Sequence, residues 1–455
     1  MTSEWPGSCN GQSVNLYATA ALAGDGSIVA WGDSSNGGSG APTGTFVSIA
    51  TNQYSFAALS PNGTIAAWGH SSYGGSGAPS VAGFVSIAST QIAFAALHAD
   101  GTIAAWGHSS SGGSGAPTGG GFSSISATLN AFAAIGTGGV VHAWGSTSYG
   151  GSGSPVGTGF TQLWSTSDAF AAWSSSSSML ANWGSTTFGA DVAAVGTGGE
   201  ELTRVASTRG AFAGLTASGR VVCWGSSPYG NVNAPSSSGF TSIMSTERSF
   251  AALNASGGIV AWGYSSYGGS GAPAGSGYML IAASERAFAA LHELGTIFVW
   301  GQSSYGGTGA PSSGSYVSLA ASRNGFAALS ASGSISAWGT GAQAAPVGGG
   351  FVSIYSSALE FTAMTVSGSV AAWGSGHSWQ VAPTSLSQNA TIAGTWSRHQ
   401  CVRPGQLVVG GPPLSPPSPS PPPPPSPPPG SSSSFTGEWP GSCNGQSVNL
   451  YATAA

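Results

Sequence analysis

The chain has 455 residues, of which only 5% are charged: 13 acidic side chains against 8 arginines and no lysine, for a formal net charge of -5. Cations this sparse, with no basic run, argue against nucleic-acid binding, which needs clustered Lys and Arg to neutralise phosphates. No apolar run reaches the ~18 residues of a membrane-spanning helix, and Met1 is followed by neither the basic nor the apolar stretch of a secretory leader.

A short leader, residues 4–13 (EWPGSCNGQS), holds Cys9. A unit of about 38 residues then recurs ten times; the copy from Phe84 to Gly121 is representative. Trp-Gly marks each copy, at Trp31, Trp68, Trp106, Trp144, Trp183, Trp224, Trp262, Trp300, Trp338 and Trp373. An aromatic strand accompanies it, with Phe94 typical of nine copies and Thr19 in its place in the first. A glycine stands five residues before Trp in nine copies, and Ser178 stands there in the fifth. A fixed period of this length is the signature of stacked supersecondary units.

Within a copy, FVSIA, AFAAL and TIAAW read as strands, and a fourth short strand is expected near the Gly-Ala-Pro segment. The Asp25-Gly26, Asn62-Gly63 and Asp100-Gly101 pairs mark hairpin turns that need positive φ. One small sheet cannot bury both faces alone, so neighbours must cover them, and closure into a ring protects the edges. The fold class is therefore all-β: a β-propeller of ten repeats over residues 1–404, followed by a polyproline II linker. Trp and Phe are read as core. The first copy lacks an FVSIA-type strand, so the segment 390–397 (ATIAGTWS) is expected to complete the first blade and close the ring.

The pattern G-x-I-x-A-W-G-x-x-x-x-G-G, preceded by A-F-A-A-L, resembles the repeats of the regulator-of-chromosome-condensation family over about residues 9–390. It looks closest to the short-repeat branch that contains the second β-lactamase-inhibitor protein. The resemblance implies a seven-bladed propeller. Ten copies leave two arrangements open: one ring of ten, or seven closed and three in another unit.

The fifth copy is degenerate, with Trp164, Trp173 and a serine run; the last two shorten the loop after Trp, and Trp379 lies in the last. Cys401 follows the array. In a closed ring Cys9 and Cys401 would meet and a disulfide could join them, or both are free thiols; Cys223 reads as a buried strand thiol. From Pro412 to Pro429, 13 of 18 residues are proline. The linker, 405–435, reads as polyproline II spanning roughly 55 Å over that stretch. It resembles the Ser-Pro spacers of hydroxyproline-rich glycoproteins in plant and algal matrices. Residues 436–455 repeat residues 2–21 with one difference, Ser3 against Gly437, so a second copy of the array is expected to begin there and the parent protein to be longer. Cys443 matches Cys9.

Catalysis needs convergent acids, bases or a metal. No nucleophile motif, phosphate-binding loop or zinc spacing occurs, so neither enzyme activity, cofactor nor metal is expected. His70 and His108 occupy matching places in adjacent copies, but no third ligand accompanies them; surface polar residues are the better reading. Antiparallel strands put the hairpin turns on one face and the SSYGGSG loops, with the loops between first and second strands, on the other.

That second face carries a repeated aromatic, Tyr73, Tyr149, Phe188, Tyr229, Tyr267 and Tyr305, together with Asp168, Arg209, Glu247, Arg248, Glu285, Arg286 and Arg323. Two readings of the rings stay open: an exposed contact surface, or caps folded over each blade. Three N-x-S/T sequons, at Asn62, Asn254 and Asn389, are candidate glycosylation sites.

The functional expectation is a non-enzymatic, extracellular recognition or structural propeller, binding protein or glycan of a matrix or cell wall through the Tyr loops. Arg248 and Arg286 would contribute to the contact, and proline-rich spacers would join tandem arrays. Nucleotide exchange on a small GTPase, or inhibition of a secreted hydrolase, are the alternatives that the resemblance implies.

Overall fold

A computed structural model describes residues 15, 17–190, 197–342, 344–356 and 359–374, with the backbone of 391–393. Cys9, Cys401, Cys443, Trp379, Asn389, the 405–435 linker and the 436–455 repeat lie outside the described residues. Ten antiparallel sheets of three strands each make up the fold. Blade 3 serves as the pattern. Its inner strand is Phe84–Ser89, its middle strand Ala93–His98 and its outer strand Ile103–Gly107, and a 3-10 turn, Ser109–Ser111, follows. No fourth strand forms at the Gly-Ala-Pro segment among the described residues; a 3-10 turn and irregular chain stand there instead. Proline has no N–H to give to a ladder.

The middle strand is buried from Ala93 to Leu97 because it has a strand on each side and a blade on each face. The alternation of Phe with Ala then becomes functional packing: Phe94 meets Trp106 within its own blade, rings stacked at 5.2 Å, and reaches back to Ala57 and Leu59 of blade 2. Nine blades repeat this Phe–Trp stack, from 5.0 Å in blade 2 to 5.5 Å in blade 10. Each such pair adds roughly 0.5–1.5 kcal/mol beyond its buried area. Blade 5 fills its far side with Trp164 and Trp173, against Val222 and Trp224 of blade 6.

Each blade packs on the next, and the tenth packs on the first. Tyr355 and Met364 of blade 10 share a cluster with Ala21 and Trp31 of blade 1. All ten blades thus close in one ring, and the split into seven and three does not occur. Thr391–Ala393 pairs antiparallel with Ala18–Leu22, so the closing strand expected from the missing FVSIA is present in blade 1.

Polar links tie neighbours at both faces. Trp106 donates its indole N–H to the Gly74 carbonyl of the preceding blade at 3.1 Å, and Trp68, Trp144, Trp183, Trp300 and Trp338 do the same to matching glycines. On the opposite face the Phe84 N–H donates to the Gly63 carbonyl at 3.0 Å.

At the loops between inner and middle strands, backbone N–H groups run head to tail from blade 2 to blade 9. Gln53 donates to Gln91, Gln91 to Leu129, Leu129 to Ser167, Ser167 to Arg209, Arg209 to Glu247, Glu247 to Glu285 and Glu285 to Arg323. This belt satisfies loop backbone that would otherwise be orphaned, and it sets the residues beside it at a constant step from blade to blade.

The hairpin turns differ from a two-residue type I′ turn. The Gly63 N–H returns to the Ser60 carbonyl and the Ser60 N–H to Thr64, with φ +82° at Gly63, while Asn62 does not share the positive φ. This is the type I turn with a glycine bulge. Asn62 instead accepts the Thr64 N–H on Oδ1, as Asp25 accepts that of Ser27 and Asp100 that of Thr102.

Ser178 takes the glycine's place in blade 5 with φ +50°, in the left-handed region where a Cβ is strained. Ser178→Gly is therefore expected to stabilise the protein by about 1 kcal/mol. Thermal unfolding of the variant checks this; an unchanged or lower midpoint would mean that the turn does not hold that strain in the folded state.

Candidate functional site

The loops between inner and middle strands and the 3-10 turns share one face, as the antiparallel alternation requires. Each turn is pinned to its own blade by a side chain of the neighbouring loop. Thr208 Oγ1 donates to the Tyr229 carbonyl, Thr246 to Tyr267, and Ser284 to Tyr305, at 2.6, 3.0 and 2.8 Å. The aromatic side chain of each turn is thereby held over the loop residues of its own and the next blade.

Over blades 5 to 8 this produces a stack in which aromatic rings and arginines alternate. The Arg209 guanidinium lies 5.2 Å from the Phe188 ring centroid. Arg248 lies 5.0 Å from Tyr229 and 5.3 Å from Tyr267. Arg286 lies 5.0 Å from Tyr267 and 4.7 Å from Tyr305. Such cation–π contacts are worth ~0.5–1 kcal/mol each at exposed sites and more when desolvated.

Beneath the stack two carboxylates, Glu247 and Glu285, are buried. Glu247 faces Arg209 at 3.4 Å and Arg286 at 3.7 Å; Glu285 faces Arg286 at 3.9 Å and pairs with Arg323. The hydrogen bond from Arg323 to Glu285 raises the Arg323 pKa further. Burial pushes the Tyr267 hydroxyl up, and it pushes the Asp168 carboxyl up as well.

The rings assigned from sequence fall into three groups. Phe188, Tyr229, Tyr267 and Tyr305 belong to the arginine stack. Tyr267 is buried, and the other three are half-buried. Tyr73 lies in a separate aromatic group on blades 1 to 3, with Tyr54 at 4.9 Å and His70 at 4.4 Å. Its ring also approaches His108 at 6.1 Å, so an aromatic ring accompanies both histidines. No cluster of three metal-ligating side chains occurs among the described residues. Tyr149 packs against the core between blades 4 and 5.

Three tyrosines of this face went unassigned. Tyr17 and Tyr54, stacked at 5.5 Å, stand two residues before the strand aromatic position, the same column as Arg248 and Arg286. Tyr264 follows Trp-Gly directly, in the column of His70, His108 and Gln302, and 49% of it is exposed. Its ring lies 5.9 Å from Arg248. Reading columns across copies, rather than motifs along one copy, was the signal that would have found them.

The opposite face holds the hairpin turns and the described sequons. Asn62 is exposed at its turn; Asn254 is half-buried, with Oδ1 accepting the Ser256 and Gly258 N–H groups. Hydrogen bonds from the Thr102 N–H and hydroxyl, and then His98 at 2.8 Å, hold the Asp100 carboxyl down at about 2. Cys223 packs between blades 6 and 7, and burial pushes its thiol up to about 12.

No protein-family model matches the chain, and no curated protein does. Among solved structures, the ectodomain of the Physcomitrella patens receptor kinase CR4 is 21% identical, covers 54% of this chain and 71% of its own, and has a TM-score of 0.35. The CRINKLY WD40 ectodomain of the Arabidopsis thaliana receptor kinase ACR4 is 20% identical, covers 58% and 97%, and scores 0.34. Prp20p from Saccharomyces cerevisiae is 16% identical, covers 57% and 72%, and scores 0.32. At these scores the propeller assignment rests on the closed ring of blades itself.

Proposed function

We propose that this chain is a non-enzymatic recognition propeller that binds a protein or glycan through the face carrying the Tyr loops. The observation that carries this reading is the arginine–aromatic stack. Four of the chain's 8 arginines, Arg209, Arg248, Arg286 and Arg323, gather on four consecutive blades of a protein that is only 5% charged. Packing alone does not call for them, since blades 2 to 4 close with Gln53, Gln91 and Leu129 in the column of Arg209 and Arg323, and with Tyr54, Ile92 and Asn130 in that of Arg248 and Arg286. Large, rigid aromatic rings with interleaved arginines are the composition that dominates binding hot spots.

An extracellular setting, with tandem rings joined by proline spacers, belongs to the same proposal. The Ser-Pro stretch, the sequons and the restarted array support it. Linked rings would multiply weak single-site affinity into avidity.

The test is a protein and glycan binding array probed with the full chain and with a Tyr264→Ala, Tyr305→Ala double variant. Small GTPases and secreted hydrolases on the same array address the two readings that the repeat resemblance implies. We expect at least one ligand to bind the parent chain and to lose about tenfold or more in affinity in the variant. No ligand for either protein, or equal binding by both, would remove the assignment of function to this face.

A further inference from the structure

Arg248 differs from its counterpart in the next blade in one respect. Arg286 sits between two tyrosines and is also ion-paired, with Glu247 at 3.7 Å and Glu285 at 3.9 Å, and donates a hydrogen bond to Gln302 at 3.5 Å. Arg248 sits between Tyr229 and Tyr267, with Tyr264 beside it, yet no carboxylate lies within ion-pair distance of it among the described residues. The column explains why. The loop position that supplies Glu247 to Arg286 holds Arg209 where it would serve Arg248, and Glu247 itself faces Arg209 and Arg286. The Nε of Arg248, like that of Arg286, is buried without a hydrogen-bond partner, so what sets Arg248 apart is the missing carboxylate. A guanidinium held by three tyrosines but left without its anion is a preformed half of an ion pair.

The surroundings narrow the other half. A stacked guanidinium keeps its N–H fork in plane, which matches a planar carboxylate in two parallel hydrogen bonds. Around it the 3-10 turns expose hydroxyls rather than hydrocarbon: Ser227, Ser265, Ser266, Ser303 and Ser304 are all exposed. Two of the more exposed apolar side chains, Leu294 at 74% and Val366 at 61% exposure, stand at hairpin turns of the other face. Serine hydroxyls beside a stacked guanidinium can meet the hydroxyls of a hydrated sugar chain, and the exposed Tyr264 ring offers a flat surface to a pyranose.

We infer that Arg248, with Tyr264 and Tyr229, is a subsite for the carboxylate of an acidic polysaccharide, that is, a uronate residue. This deepens the recognition role proposed for the same face. The probe is polygalacturonate, with its methyl ester and poly-L-glutamate as the uncharged-sugar and acidic-peptide arms, measured against the full chain at low salt.

The parent chain is expected to bind polygalacturonate and not the methyl ester, and added salt is expected to weaken that binding. Arg248→Gln is expected to lower affinity about tenfold or more, the loss of one charged hydrogen-bonding pair. Arg248→Lys, which keeps the charge without the fork, retains part of the affinity and shows that loss in the first variant is not a failure to fold. Arg204→Gln, an exposed arginine of the blade 6 inner strand, leaves binding unchanged.

Polygalacturonate bound equally by Arg248→Gln, or not bound at all, overturns the subsite. Preferential binding of poly-L-glutamate overturns the sugar assignment in favour of an acidic peptide. If array ligands still depend on Tyr264 and Tyr305 while polygalacturonate does not bind, only this subsite fails and the recognition face stands.

Discussion

Glu360→Gln is expected to make the folded protein more stable above pH 7 by up to about 3 kcal/mol. The reason lies at the seam where blade 10 meets blade 1. In blades 2 to 10 a phenylalanine of the middle strand faces the preceding blade. Blade 1 has Thr19 in that place, opposite Trp31 in the same register. The residue it meets is also exceptional. Where other blades begin the middle strand with Ala, Ser or Gly, blade 10 has Glu360, and Thr19 Oγ1 lies 3.5 Å from Glu360 Oε2. A small residue and a large one have exchanged sides, so the volume is kept and the seam becomes polar.

Burial disfavours the charged form and raises the Glu360 pKa to about 7, against 4.5 for the free side chain. Because the folded-state value is the higher one, the native chain holds its proton longer than the unfolded chain does. The stabilisation is complete below pH 4.5 and is lost as pH rises to about 7, at about 1.4 kcal/mol per pH unit. Urea denaturation of the parent and of Glu360→Gln across pH 4 to 9 measures it. The two curves should run together at the acid end and separate toward pH 7. Parallel curves throughout would show that Glu360 ionises as freely in the ring as in the unfolded chain. The double variant Thr19→Phe, Glu360→Ala rebuilds the seam like the other nine and should lose the pH dependence as well.

Gly63→Ala is expected to destabilise by about 3 kcal/mol, the sum of a positive-φ cost and an overpacking cost. A Cβ at Gly63 would lie 2.6 Å from Gly83 N, Phe84 N and Phe84 O, all backbone of the next blade, at φ +82°. These atoms carry the hydrogen bond that docks the inner strand of blade 3 on the turn of blade 2. Gly77→Ala separates the two costs. Gly77 has the same φ, +82°, but open space where its Cβ would go, so only about 1 kcal/mol should be lost. Equal losses in the two variants would mean that the turn contributes nothing to holding neighbouring blades together.

Much of this architecture was legible in the sequence because the constraint repeats. Trp, Phe, turn glycine and Tyr-Gly recur at one spacing, and each has one structural job that every blade must fill. The closing strand was legible for the converse reason: one copy lacked FVSIA, and an unfilled edge has to be paired. The blade count was not legible, since every regular interface uses the same Phe, Trp and Ala, and blade 7 could meet blade 1 as readily as blade 8. What is specific to the closure is the exchange at Thr19 and Glu360, which is visible only when the two ends of the array are set side by side.

The tyrosines were half legible. Their column and their face follow from the antiparallel alternation. Their environment does not, because the arginines that flank each ring come from the same blade and the next one, and neither is near it in sequence. Tyr264 was passed over because it fills a column that holds histidine or serine in most copies.

A continuous recognition face requires one ring, since a break after blade 7 would part Tyr267 from Arg286 and divide the stack. Single-particle imaging of the full chain, viewed along the ring axis, counts the blades directly. Ten blades, with Glu360 against Thr19 at the seam, is the result predicted here. A ring of seven closed by blade 7 on blade 1, with three blades apart, would contradict both the closure and the continuous recognition face.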